Sequence, residues 1–253
     1  MAADLFDLAA YCDQYLDTTA VADFTANGLQ VEGGREVRRI VSGVTACQAL
    51  LDQAVAEEAD LVLVHHGYFW KGEDPQLVGM KGRRIRTLMM AGMSLLAYHL
   101  PLDRHPEVGN NAVLAHLLGI TPTEPFGDLN GATIGLGGEL AAPQAPEVLV
   151  EQVASALGSS PLHVAGPQSS IHRVALCSGG APDLLPEAAE AGFDLFITGE
   201  SNERVTHMAR EMGIHFLAAG HHATERGGPR ALGEHLAERF HLEHRFVDIP
   251  NPA

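Results

Sequence analysis

Cysteine is scarce in this chain: Cys12, Cys47 and Cys177 lie far apart and show no CxxC spacing. That excludes a disulfide framework and argues against a thiolate metal site. Long apolar runs are missing too, since stretches such as 61–64 and 94–98 fall far short of the roughly 20 residues a bilayer span needs. Basic residues are outnumbered two to one, 16 Lys and Arg against 32 Asp and Glu, for a formal net charge of −16. Such a surface repels a polyanion, so nucleic acid is not an expected partner. The one gathered cationic run, KGRRIR at 81–86, reads as a solvated helix start. Asp4 and Asp7 stand where a signal peptide carries Lys or Arg, which makes the cytoplasm the expected compartment. A Ser nucleophile elbow, a P-loop and a GxGxxG turn after a strand are all lacking; Gly135-Leu-Gly137-Gly138 has neither the following helix nor the Lys.

What remains is a globular composition, 253 residues with 46% hydrophobic and 19% charged, and a surplus of histidine, 14 in all. The apolar spacing predicts helices at 5–16, 47–58 and 83–91, with extended segments at 38–45, 61–64 and 94–99. The series then recurs: a helix at 148–157, a strand at 173–178, a helix at 181–190, a strand at 194–198, a helix at 201–212 and a strand at 214–219. Gly43 is answered by Gly179 and Asp60-Leu61 by Asp194-Leu195, which reads as an internal duplication. The expected fold is α/β, two similar halves packed around a cleft, with residues 1–126 as the first and 127–253 as the second. A Gly-, Ala- and Pro-rich stretch at 127–146, with a strand-like piece at 133–140, reads as the connection. A last helix at 230–240 and strand at 243–249 close the chain and are candidates to pack back on the first half. Pro229 fits only the opening turn of that helix.

Overlaying the halves sets His65-His66 against Gly199-Glu200, both at strand ends. It also sets His99 and Asp103 against His221 and Glu225, each a histidine followed four residues later by a carboxylate after a strand. Ligands of α/β sheets bind beyond the carboxyl ends of the strands, so these groups emerge at one kind of edge. Imidazole and carboxylate donors suit Zn, Fe, Ni, Co or Mn, and a carboxylate can bridge two cations. Alone, Asp103 would read as a helix cap and Glu225 as a first-turn acid; the matching offsets favour ligation. His99 fits ligation or a supporting role behind a ligand, and His222 a supporting or an exposed one.

At LVLVHHGYFW (61–70), AYHLPLD (97–103), DLFITGE (194–200), AAGHHATERGGPRALGEHL (218–236) and the terminal DIPNPA, the chain resembles the Nif-three-like dinuclear metal-centre proteins of the YbgI type over essentially its whole length. The resemblance implies five metal ligands at His65, His66, Asp103, His221 and Glu225, two divalent ions per subunit, and a homohexameric toroid. It also implies kinship to a second type of GTP cyclohydrolase. The expected chemistry is hydrolysis by a metal-bridging hydroxide, with Asp103 and Glu225 as bridging candidates, His99 or His222 as proton shuttles and Glu200 as base or supporting acceptor. Arg226 and Arg230 are candidate clamps for a substrate phosphate or carboxylate. The alternatives are a metal-stabilised, non-catalytic scaffold or binding ring and a di-iron oxidase.

Overall fold

The computed structural model describes residues 2–129 and 131–253 and is mixed α/β. In chain order its elements are β1 (Ala3–Asp4), α1 (Leu5–Tyr15), β2 (Gly28–Val31), β3 (Glu36–Val37), β4 (Arg39–Thr45), α2 (Gln48–Ala56), β5 (Leu61–His66), α3 (Gly79–Ala91), β6 (Ser94–Ala97), α4 (Leu100–Arg104), α5 (Asn110–Leu117), β7 (Ile120–Leu129) and β8 (Ala132–Gln144). There follow α6 (Pro146–Leu157), β9 (Leu162–Val164), β10 (Ile171–Cys177), a 3-10 turn at Pro182–Leu184, α7 (Leu185–Glu190), β11 (Leu195–Thr198), α8 (Glu203–Met212), β12 (His215–Ala218), α9 (His221–Thr224), α10 (Gly227–Phe240) and β13 (Glu243–Phe246). Among the described residues no helix is long and apolar enough to cross a membrane.

The chain divides into two compact units, residues 1–102 with 228–250, and residues 103–227 with 251–253. Residue 126 lies inside β7, which pairs antiparallel with β8 along its length. The expected connection at 127–146 is therefore mostly β-hairpin, with Asn130 outside the described residues. Two of its glycines serve close packing rather than slack. A Cβ on Gly135 would lie 2.5 Å from the Leu176 carbonyl oxygen, and one on Gly137 would lie 2.3 Å from the Phe193 ring.

The first unit is a five-stranded sheet in the order β13-β4-β5-β6-β2. β13, β4, β5 and β6 are parallel, and β2 lies antiparallel on β6. Leu61, Val62, Leu63 and Val64 are all fully buried, as expected for a continuous apolar strand covered on both faces. Helix α1 starts at Asp4, whose carboxylate accepts the Phe6 and Asp7 amides, and it buries Leu5, Leu8, Ala9 and Cys12 on one face. Helix α3 begins at Gly79, four residues before the start expected at 83, and ends at left-handed Gly92. α10 carries Pro229 at its third position, where a missing amide hydrogen leaves no intrahelical bond unmade.

The second unit is a six-stranded sheet in the order β7-β8-β10-β11-β12-β9. Its parallel triad β10-β11-β12 repeats β4-β5-β6, again with an antiparallel strand, here β9, beside the third member. The repetition reaches single hydrogen bonds. The Asp60 carboxylate accepts the Arg38 and Arg39 amides, and the Asp194 carboxylate accepts those of His172 and Arg173. Strand registers correct the internal alignment in two places. Ile40 pairs with Leu61 and Val174 with Leu195, so Gly43 answers Cys177, and Thr45 is the residue that answers Gly179. Ser94 pairs with Leu61 and His215 with Leu195, so His99 answers Gly220 and the pair His221 and Glu225 comes one residue later than expected. Gly220, at φ 101°, supplies the extra step before α9.

Candidate metal centre

In the first unit the carboxyl edge of the parallel triad gathers histidines. His65 and His66 end β5, and His99 follows β6 by two residues. Their ring centroids are 4.6 Å (His65 to His66), 5.0 Å (His65 to His99) and 5.8 Å (His66 to His99) apart. One ligand nitrogen from each lies within 4.8 Å of the others, a grouping suited to a metal ion. His65 is fully buried, and its Nδ1 is 2.9 Å from the Tyr98 carbonyl oxygen. A carbonyl only accepts, so Nδ1 carries the proton and Nε2 carries the lone pair. His99 Nδ1 is 2.7 Å from Asp23 Oδ1, which sets the same tautomer. His66 Nδ1 is 3.2 Å from the Thr45 hydroxyl. All three imidazoles thus use Nδ1 on the protein, as metal-ligating histidines generally use their second nitrogen.

Asp23 is itself held on every side. It accepts from Asn27 Nδ2 and from the Phe24 and Leu100 amides, while Asn27 Oδ1 accepts the His99 amide. Burial opposes its charge, but the His99 contact and these donors together lower its pKa below the usual carboxylate value.

In the second unit the equivalent edge presents carboxylates. Asp103 falls here, 5% exposed, with Oδ1 accepting from Asn110 Nδ2 at 2.8 Å and from the Ser178 hydroxyl at 3.1 Å. Asn111 braces the same corner by accepting the Ser178 amide and donating to the Asp103 carbonyl. Glu225 is 3% exposed, and its Oε1 is 3.2 Å from His221 Nε2. His221 Nδ1 is 2.6 Å from Glu200 Oε1, so this imidazole also turns Nδ1 to a protein carboxylate. Burial disfavours a charge on His221, yet Glu225 and Glu200 outweigh it and push its pKa up to about 9. That proton occupies a place a divalent cation could take. Cys177 is buried near Asp103 and Glu225; burial first, then those two charges, push its thiol up, so it stays a neutral packing group.

The remaining expected residues lie as follows. Glu200 is half exposed and bonded to His221. His222 is buried, and its amide donates to the Ala253 carbonyl. Arg226 donates to the Leu157 carbonyl, and the Arg230 guanidinium lies 4.4 Å from the Phe246 ring centroid, so contacts within the protein engage both expected clamps. Sequence reasoning missed Asp23, Asn27, Asn110, Asn111 and Ser178. Short polar residues in connecting segments carry no periodicity that would mark them.

A family model described as Duf34/NIF3 (NGG1p interacting factor 3) matches residues 3–252. The chain belongs to the Duf34/NIF3 family. Among its relatives, a "GTP cyclohydrolase 1 type 2 homolog" of Pseudomonas aeruginosa is 55% identical over 253 residues, covering 100% of both chains. The Duf34/NIF3 fold is shared with a solved structure titled "protein ybgI, unknown function", at TM-score 0.94 and 49% identity over 99% of this chain and 100% of that one. TTHA1606 from Thermus thermophilus is similar at TM-score 0.90 and 38% identity, with 99% and 100% covered. Family membership and fold class thus stand as the motifs implied, and the histidine and carboxylate groupings are consistent with metal binding in this family.

Proposed function

We propose that the protein is a metal-dependent hydrolase with a two-ion centre whose ligands are His65, His66, Asp103, His221 and Glu225. One observation carries this reading: each of the three proposed ligand imidazoles turns Nδ1 to a protein group, so that Nε2 is the nitrogen that would coordinate. The donor set fits the group, since neutral imidazoles and buried carboxylates without thiolate suit borderline and hard divalent cations. Bound there, two such ions would supply Lewis acidity toward water and toward a carbonyl, imine or phosphoryl oxygen. The chain's own residues do the rest. Asn110 and Ser178 orient Asp103 by donating to its Oδ1. Glu200, half exposed and joined to His221, can pass a proton to solvent, and His222 is the second candidate for proton transfer.

The name borne by the bacterial relatives makes a purine nucleotide the first substrate class to try. The test is elemental analysis of protein purified without added metal, followed by turnover of GTP, other nucleotides, peptides and phosphodiesters by wild type and Asp103→Ala. We expect bound transition metal and a substrate whose consumption falls at least a hundredfold in the variant; turnover indifferent to Asp103 would overturn the reading. The toroidal hexamer belongs to the same proposal, with mass by sedimentation as its test. A second reading, a metal-stabilised scaffold, draws on the burial of His65, Asp103 and Glu225 to 5% or less, because closed sites are usually structural. It requires ions that resist exchange and no turnover in the same screen.

A further inference from the structure

We propose that the groove between α2 and α3 docks a short acidic amphipathic segment of a partner protein, with Arg83 and Arg86 meeting its carboxylates and Val55, Met89 and Met90 its apolar side chains. The groove lies within the first unit and shares no residue with the candidate metal centre.

Helix α3 reads GMKGRRIRTLMMA, with no acid in it, although acids outnumber bases two to one in the whole chain. Ile85 and Leu88 anchor it to the core, while Met89 and Met90 stand 65% and 82% exposed. Gln48 of α2 ties the two helices together, its Nε2 donating to the Thr87 hydroxyl at 3.0 Å and to Asp52 Oδ1 at 2.8 Å. The cavity so framed measures about 550 Å³ and is lined chiefly by Val55, Arg83, Arg86, Thr87 and Met90. Elsewhere arginines pair with acids: Arg35 with Asp4, Arg39 with Glu243, Arg173 with Glu124, Arg204 with Asp183 and Arg245 with Glu57. Among the described residues Arg83, Arg84 and Arg86 form no ion pair, and Arg84 Nε is buried without a hydrogen-bond partner. Guanidinium forks match carboxylates, and methionine adapts its shape to a partner. Both residue types are enriched at protein interfaces.

Charge, size and shape select the occupant. Unpaired arginines call for an anionic partner. The seven residues of the cavity and Met89 fall short of the roughly 20–30 a side that a stable subunit interface takes, so a segment fits better than a second copy of the chain. A groove between helices receives side chains of an amphipathic helix, whereas an anionic bilayer is flat and is repelled by a chain of net charge −16.

The probe is a fluorescein-labelled amphipathic peptide of Leu and Glu, about 14 residues or four helical turns long, set beside the same peptide with Lys for Glu. We expect only the Glu peptide to bind, with Kd rising about tenfold or more in Arg83→Glu/Arg86→Glu and in Met90→Glu. These side chains are exposed, and circular dichroism checks that the variants fold; Arg86→Gln serves as the milder substitution. Equal binding of the two peptides, or affinity indifferent to the arginines, overturns the proposal. Phosphatidylglycerol vesicles bound in place of the peptide would assign the groove to lipid and overturn it too. The native occupant is read by a photo-crosslinking amino acid in place of Met90, in the full chain in living cells, with the linked residue mapped by mass spectrometry. Linkage to an apolar residue flanked by Asp or Glu in another protein supports the proposal. Linkage to the same chain or to nothing overturns it, as does a sedimentation mass that falls in Arg83→Glu/Arg86→Glu.

Discussion

Gly199 occupies the place in the second triad that His65 holds in the first, and there is no room there for any side chain. A Cβ at that position would lie 2.6 Å from the Gly179 carbonyl oxygen and 2.6 Å from the His221 Cα, both backbone atoms that cannot turn aside. One copy of the repeat thus keeps a donor where the other keeps a backbone crossing, which brings the turn bearing His221 against β11. Gly199→Ala should cost about 1–3 kcal/mol of stability, read by urea denaturation, and should lower metal content; an unchanged midpoint would contradict the packing described. Glu200→Gln keeps the shape and removes the charge behind His221. Metal affinity should fall by about 10–100-fold, measured by competition with a chromophoric chelator, with stability at neutral pH little changed. At this scale the sequence disclosed whatever repeats at a fixed offset. His65, His66 and the two histidine and carboxylate pairs stood out because the halves could be overlaid, although strand pairing moves the second pair by one residue. Asp23 and Ser178 repeat nothing, and they reach His99 and Asp103 only through folding across 76 and 75 positions.

Secondary structure was legible wherever an apolar run or a 3.6-residue spacing was long enough to speak. The strands of both triads and helices α1, α2, α6, α8 and α10 fall within a few residues of expectation. The β7 and β8 hairpin was obscured because glycines placed for contact with Leu176 and Phe193 look like linker glycines by composition. β13 illustrates a different element-scale effect. Its His244 is half-buried, 2.7 Å from the Ser42 hydroxyl and close over Gly233. Burial, followed by the nearby Arg230 charge, pushes its pKa down to about 4 from an ordinary 6.5. Between those values the unfolded chain binds the proton and the folded chain does not, so stability is full above pH 6.5, falls as pH drops toward 4 and loses no more below that. His244→Gln should remove this component. Denaturant midpoints at pH 7 and pH 4.5 should converge by up to about 2 kcal/mol between variant and wild type; a parallel decline would refute the assignment.

For the whole molecule, any ion that binds only the native state adds stability by mass action. At a free metal concentration 100 times Kd the increment is about 2.7 kcal/mol. Stripping metal with a chelator should therefore lower Tm by about 5–10 °C for a chain of this size, and re-addition should restore it. Scanning calorimetry that shows no shift would mean that the native state takes up no ion.

The first unit is discontinuous, with its final strand encoded after residues 103–227 of the second unit. On the ribosome, residues 103–227 can fold while β4 still waits for its neighbour, and the waiting edge belongs to a strand in which Ile40, Val41 and Val44 are at most 3% exposed once folded. A message truncated just before residue 243 would release a sticky β-edge rather than a shortened protein, and such fragments should sediment with aggregates or chaperones. β13 thus decides whether this sheet is closed on that side, and a chain lacking it would carry an uncovered apolar strand.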